Sequence, residues 1–172
     1  MRIAVVSDTH LPRFGRQLPR ALRDGLRRER VELIVHLGDF TMPEVVDLFE
    51  AFAPVEAVAG NNDGEELIGR FGRRKVIEAS NAKIGLTHGH LGTGRTTPQR
   101  AAATFAPDEV DIVLFGHSHI PLVQRLADGR WLMNPGSPTD KRRQPRYSWG
   151  LIDIESADEI RPELRFFDDR AP

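Results

Sequence analysis

A chain of 172 residues with 40% hydrophobic and 28% charged side chains has the composition of one soluble folded domain with a real core. Its formal net charge of -1, from 24 basic and 25 acidic residues, gives no global attraction to nucleic acid or to an anionic membrane surface. With Cys at 0, disulfides and thiolate metal sites are excluded, a metal site would need His, Asp, Glu or Asn, and a cytoplasmic location is expected.

Arg2–Ser7 is a short β-branched apolar run and reads as a buried strand. Asp8 and His10 follow it too closely for a signal peptide, and no later run nears the roughly 20 apolar residues of a membrane span. Leu18, Leu22 and Leu26 recur at helical spacing, which predicts an amphipathic helix over 18–29. Val31–His36 reads as a second strand. Pro43 then suits a helix start, with Val45, Val46, Leu48, Phe49 and Phe52 as its apolar face, and Pro54–Ala59 reads as a third strand. This β-α-β-α-β order implies parallel pairing with helices against the sheet. In the second half, 75–78, 82–87, 112–115, 121–126, 130–133, 147–154 and 160–166 read as strands, with turns at Asn81-Ala82 and Asp128-Gly129 and one helix near 98–105. The expected architecture is a single α/β domain over 1–172, with two packed mixed β-sheets flanked by helices.

Polar residues gather where the apolar runs stop. Three consecutive strands end in Asp8-Thr9-His10, Gly38-Asp39 and Gly60-Asn61-Asn62-Asp63, and parallel strands present such ends along one edge, where ligands bind. Two later runs end in His88-Gly89-His90 and Gly116-His117-Ser118-His119. Of the 6 His residues only His36 lies outside these clusters, and it is expected to pack or hydrogen-bond beside Gly38-Asp39. If the extended conformation persists, Asp8 and His10 face the same way, as do His88/His90 and His117/His119. Imidazoles, carboxylates and an amide oxygen form a site of borderline softness, suited to Mn²⁺, Fe²⁺, Co²⁺, Ni²⁺ or Zn²⁺ and poorly suited to Ca²⁺.

This ordered set of five motifs, with the following Asn134-Pro135-Gly136-Ser137, resembles the calcineurin-like metallophosphoesterase superfamily over about residues 3–155, and within it the small phosphodiesterase branch that includes Vps29. The resemblance implies the four-layer α/β/β/α sandwich and a hydrolase using two divalent ions, Mn²⁺ first among them. It implies that Asp8, His10 and His119 bind one ion, that Asn61, His88 and His117 bind the other, and that Asp39 bridges them. It also implies hydrolysis of a small phosphate ester by a hydroxide lying between the ions, with the ions neutralising phosphate oxygens.

Where many members carry His after the motif Asn, this chain has Asn62, which donates a hydrogen bond but no proton at neutral pH. Asn62 and His90 are the candidate catalytic residues; the expectation is either a leaving group that departs easily or a proton from water or His90, and His90 is open to two readings, support of the ligands or contact with substrate. The 134–138 segment is open to two readings, an ordinary Pro/Gly turn or a contact beside the metals. The Lys141–Arg146 run is either solvated loop charge or a contact for phosphate oxygens. Trp131, Trp149, Phe166 and Phe167 are expected in the core or a subunit contact. The expected partner is a small phosphate ester, a nucleotide among the candidates. A membrane is not expected, the lack of a long basic stripe argues against nucleic acid, and homo-oligomerisation is left open. The alternative is a non-catalytic, Vps29-like protein-binding scaffold that keeps the fold.

Overall fold

Side chains alternate across a strand, so a run that is apolar at every position must be covered on both faces. In the first strand, β1 (Arg2–Val6), Ile3 and Val5 enter one apolar cluster while Ala4 and Val6 enter another. The computed structural model describes residues 1–172, and this double burial organises it. β1 pairs in parallel with β2 (Leu33–His36), which pairs in parallel with β3 (Val55–Ala57). The crossovers carry helices α1 (Arg20–Glu29) and α2 (Glu44–Glu50). On the other side of β1 lie antiparallel β9 (Tyr147–Ser156) and β10 (Glu159–Phe167), giving a five-stranded sheet in the order β10-β9-β1-β2-β3.

After helix α3 (Glu65–Phe71), the second sheet is built from β4 (Arg74–Ala79), β5 (Ala82–Thr87), β6 (Ile112–Leu114), β7 (Leu122–Arg125) and β8 (Trp131–Asn134), with α4 (Thr97–Ala103) between β5 and β6. Its order is β4-β5-β6-β8-β7. Val35, Ile84, Leu86, Ile112, Leu114 and Ile152 fill the space between the sheets. Leu22, Leu26, Phe49 and Leu67 cover the outer face of the first sheet, and Ala101 and Phe105 pack on Val113 and Leu132 of the second. The result is the expected four-layer α/β/β/α sandwich. No helix is long and apolar enough to cross a membrane.

Three local differences from the sequence reading have physical causes. α1 starts at Arg20 because Pro19 is extended (φ -51°, ψ 138°) and Leu18, before a proline, is held out of the helical region. α3 escapes a periodicity reading because only Leu67 and Phe71 of its seven residues are buried and Gly69 lowers its helix propensity. The β4–β5 turn is centred one residue earlier than expected, on Ser80 and Asn81 (φ 47° and 64°), between the paired Ala79 and Ala82.

Candidate metal centre

Each of the five motifs begins after its strand has ended, and the motif backbones are not extended. Asp8, His10, Asp39, His117 and His119 have φ of 56°, 45°, 59°, 69° and 61°. The expected alternation therefore does not operate; left-handed turns, which Asp and His tolerate better than most residues, bring the side chains together. Such conformations cost about 1–3 kcal/mol each and persist only where neighbours hold them. Here the loops hold one another. Asp8 N–H donates to Gly38 O at 2.9 Å, His10 N–H to Asp39 O at 3.0 Å and Gly116 N–H to His88 O at 2.9 Å. The approach leaves no room for side chains at two glycines: a Cβ on Gly60 would strike the Asp39 carboxylate, and one on Gly116 would strike Ser7 Oγ.

The donor atoms converge. Asp8 is fully buried; its Oδ2 accepts from Ser7 Oγ at 2.7 Å and His117 N–H at 2.9 Å. Its Oδ1 lies 3.5 Å from His119 Nε2, 3.7 Å from His88 Nε2 and 3.8 Å from His10 Nε2. Asp39 Oδ2 is 3.4 Å from both His10 Nε2 and His88 Nε2, so one carboxylate oxygen addresses both imidazoles. Two groups of ligand atoms, Asp8/His10/His119 and Asp8/Asp39/His88, each lie within 4.8 Å of one another. Asp8 thus belongs to both groups.

Asp8 Oδ1 and the Nε2 atoms of His10, His88 and His119 are buried without a hydrogen-bond partner. Each such atom ordinarily costs about 1–3 kcal/mol. Four facing one point, with a second carboxylate, are what a bound divalent cation requires, so the residues fit the metal that the motifs imply.

The tautomers fit as well. His88 Nδ1 lies 2.6 Å from Leu37 O and His119 Nδ1 lies 2.5 Å from Asp140 O. A carbonyl only accepts, so each Nδ1 carries the proton and Nε2 is left for the centre. Burial would raise Asp8, yet His10, His119 and His88 reverse it and hold the carboxyl well below the usual range. Burial likewise opposes charge on Asp39, but the His88 contact and the Asn62 N–H lower it to about 2. For His88, burial is outweighed by Asp39 and Asp8, which draw a proton up to about 9. The cluster keeps its negative charge and seeks positive charge.

Residues beyond the expected ligands hold the loops. Fully buried His36 accepts from Gly38 N–H at Nδ1 (3.1 Å), so its Nε2–H donates to Thr9 Oγ1 (3.1 Å) and joins the first two loops. Its ring stacks on Phe40 at 3.5 Å. Asp63 accepts from Asp39 N–H (2.8 Å), Gly60 N–H (2.7 Å) and Thr41 N–H (2.8 Å), joining the second loop to the third. The 134–138 segment is more than a free-standing turn, because its side chains are hydrogen-bonded to the motif loops. Asn134 Nδ2 donates to Gly116 O at 3.0 Å, and Ser137 Oγ donates to Asp8 O at 2.9 Å. Thr139 Oγ1 donates to Thr9 O at 2.7 Å. Thr139 and Asp140 have no motif of their own; the only sequence sign is a polar stretch directly after Asn134-Pro135-Gly136-Ser137.

The remaining motif residues lie at the rim. Asn61 is exposed and His117 half-buried, with Asn61 Oδ1 3.1 Å from His117 Nδ1. Asn62 grips Asp39 twice, its backbone N–H donating to Oδ1 and its Nδ2 to Oδ2, each at 2.9 Å. His90 packs against His88 and His117, with ring centroids 5.3 and 6.1 Å away. Burial and the neighbouring His88 lower His90 to about 4, so it is neutral near pH 7. In the basic run, Arg142 points back to Asp140 at 3.9 Å and stays exposed, while Arg146 pairs with Asp168 at 2.8 Å. Trp149 and Phe167 are in the core, whereas Phe166 is exposed.

Proteins similar to this chain are named as metallophosphoesterases, a phosphodiesterase and Vps29. A probable metallophosphoesterase of Methanothermobacter thermautotrophicus is 38% identical over 142 residues, covering 83% of this chain and 80% of that protein. A phosphodiesterase of Methanocaldococcus jannaschii is 29% identical over 150 residues, covering 79% and 83%. Crystalline wild-type Vps29 of Entamoeba histolytica, complexed with Zn²⁺, superposes with a TM-score of 0.77 at 25% identity, covering 98% of this chain and 100% of that one. The profile of the calcineurin-like phosphoesterase superfamily domain matches residues 1–157, which include every motif residue named above. With the fold, the convergent Asp/His cluster and that match in agreement, the chain belongs to the calcineurin-like phosphoesterase superfamily.

Proposed function

We propose that the chain is a metal-dependent phosphoesterase, by preference a phosphodiesterase, acting on a small phosphate ester at two divalent ions held among Asp8, His10, Asp39, Asn61, His88, His117 and His119. The observation that carries this reading is the meeting of four unpartnered buried atoms, Asp8 Oδ1 and the Nε2 atoms of His10, His88 and His119, beside Asp39 Oδ2. Ions bound there would supply a nucleophile from water at neutral pH and neutralise phosphate charge, with Mn²⁺ the first candidate for this N/O set.

The protein's own side chains do the rest. Asp39 lies 3.4 Å from both His10 and His88 through one oxygen, which supports the reading of it as a ligand shared between the ions. Asn62 holds that carboxylate with two hydrogen bonds, and its remaining amide N–H is no source of a proton for a leaving group at neutral pH. His90, held neutral, has no proton to give at pH 7 either. The leaving group therefore takes its proton from water, which favours esters of acidic alcohols. A nucleotide-sized ester suits the balanced charge better than a nucleic acid does.

The test is hydrolysis by chelator-stripped protein given Mn²⁺, Ni²⁺, Co²⁺ or Zn²⁺, with a chromogenic aryl phosphodiester and an alkyl diester. Metal-dependent release from the aryl ester, with far slower release from the alkyl ester, is expected. No hydrolysis with any of these ions would overturn the enzyme reading. It would favour the second one, a protein-binding scaffold, which the likeness to Vps29 supports.

A further inference from the structure

Helix α1 begins without a side-chain cap, because Pro19 occupies its N-cap position. The free N–H of Arg20 is met instead by the carbonyl of Ala171 at 2.8 Å, in the segment after β10. Asp169 shapes that segment by accepting from Ala171 N–H at 2.9 Å. Asp168 anchors it to the loop after the brace by accepting from Arg146 Nε at 2.8 Å. Between these anchors, Arg170, itself exposed, reaches Thr139 and Phe14. Its Nη1 donates to Thr139 O at 3.0 Å, and its guanidinium lies 5.2 Å from the centroid of the Phe14 ring.

Both partners lead to ligands of one candidate ion. Phe14 meets the His10 ring edge-on, with centroids 6.5 Å apart. Thr139 is almost fully buried, bonds through Oγ1 to Thr9 O in the loop that carries Asp8 and His10, and is followed by Asp140, whose carbonyl holds His119 Nδ1. His10 and His119 themselves stack at 5.3 Å. Arg170 has no comparable contact with the loops bearing Asn61, His88 or His117. It also lies beyond residues 1–157, the stretch matched by the family profile, so no shared motif points to it.

We propose that Arg170 is a positioning residue for the Asp8/His10/His119 group, setting the His10 and His119 rings through Phe14 and Thr139; its metal consequence rests on the function proposed above. Residues that support metal ligands typically change metal affinity by about 10–100-fold when removed, and Arg170, one contact further out, should sit at the lower end.

The experiment compares wild type, Arg170→Ala and Arg170→Lys. Imidazole ¹H–¹⁵N correlation spectra are recorded on the chelator-stripped proteins, followed by calorimetric titration with Mn²⁺, and with Ni²⁺, Co²⁺ or Zn²⁺ where Mn²⁺ is not taken up. Arg170→Ala should shift the His10 and His119 signals, leave His36 in place and weaken one of two ions about 10-fold. Arg170→Lys, which keeps a cation and a donor, should restore both readouts. Unmoved His10 and His119 signals would overturn the proposal. So would equal shifts at all 6 His residues with a lowered melting temperature, which mark general loosening. If wild type takes up none of Mn²⁺, Ni²⁺, Co²⁺ and Zn²⁺, the metal reading fails by itself, and the imidazole spectra still decide what Arg170 does.

Discussion

Asp8, His10 and His119 lie in one half of the candidate centre and Asn61 and His117 in the other, and the two halves differ in what holds them. The first half is buried, its loop is tied to Gly38 and Asp39 by backbone hydrogen bonds, and His119 is held by the Asp140 carbonyl. Asn61 is exposed, and its Oδ1 lies 3.1 Å from Nδ1 of His117, itself half-buried. Burial keeps His117 below its ordinary value, so it competes weakly for protons. The first half converges without a metal, whereas Asn61 and His117 meet each other and belong to neither group of converging ligand atoms. Preorganised ligands bind more tightly because less is lost on ordering them.

The largest expected effect tests whether the halves share a ligand. Asp39→Asn removes the carboxylate charge facing both His10 and His88, and should lose at least one metal per chain and reduce turnover by well over about 100-fold. Metal content by plasma mass spectrometry, read with the rate, checks this; two retained ions at full activity would break the idea of a shared ligand.

Next comes the asymmetry itself. Calorimetric titration of His119→Ala should show the tighter ion weakened by at least roughly 100-fold, while His117→Ala leaves it in place and weakens the looser one by roughly 10–100-fold. If His117→Ala stripped the tighter ion, the ranking of the halves would be reversed.

Asp63 braces the loop of the looser half without facing the centre. Asp63→Ala leaves the N–H groups of Asp39, Gly60 and Thr41 without their acceptor and should cost about 1–3 kcal/mol in urea unfolding of metal-free protein. A change below about 0.5 kcal/mol would show that water replaces the carboxylate easily.

The last effect, a slope with pH that is absent at neutral pH, concerns His36, which braces the organised half. Burial lowers it from 6.5 to about 3, so between those values the unfolded chain binds a proton that the folded chain refuses. Its contribution is fully present above about pH 6.5 and is lost as pH falls toward 3, at up to about 1.4 kcal/mol per pH unit. In metal-free protein, His36→Gln should fall less steeply than wild type between pH 6 and pH 4 on the order of that slope. Parallel curves would mean that His36 is protonated in the folded state.

The sequence itself determined the layers and the meeting place of the motifs. Unbroken apolar runs such as Ile3–Val6 demand cover on both faces, and polar groups at parallel strand ends share an edge whatever the detail of the loops. It was weaker within the loops. An extended continuation would have sufficed to pair Asp8 with His10, but the backbone turns left-handed, and nothing local in Ser7-Asp8-Thr9-His10 signals that. Only tertiary contacts stabilise those turns: Gly38 and Asp39 accept from the first loop, Asp63 holds the second and third, and Ser137 and Thr139 reach Asp8 and Thr9 across about 130 residues of chain. The same holds for Asn62, whose type ruled out a proton donor but whose engagement with Asp39 depends on two loops meeting. Side-chain chemistry and periodicity are written residue by residue; the conformation of a strained loop is set by whichever distant groups satisfy its hydrogen bonds.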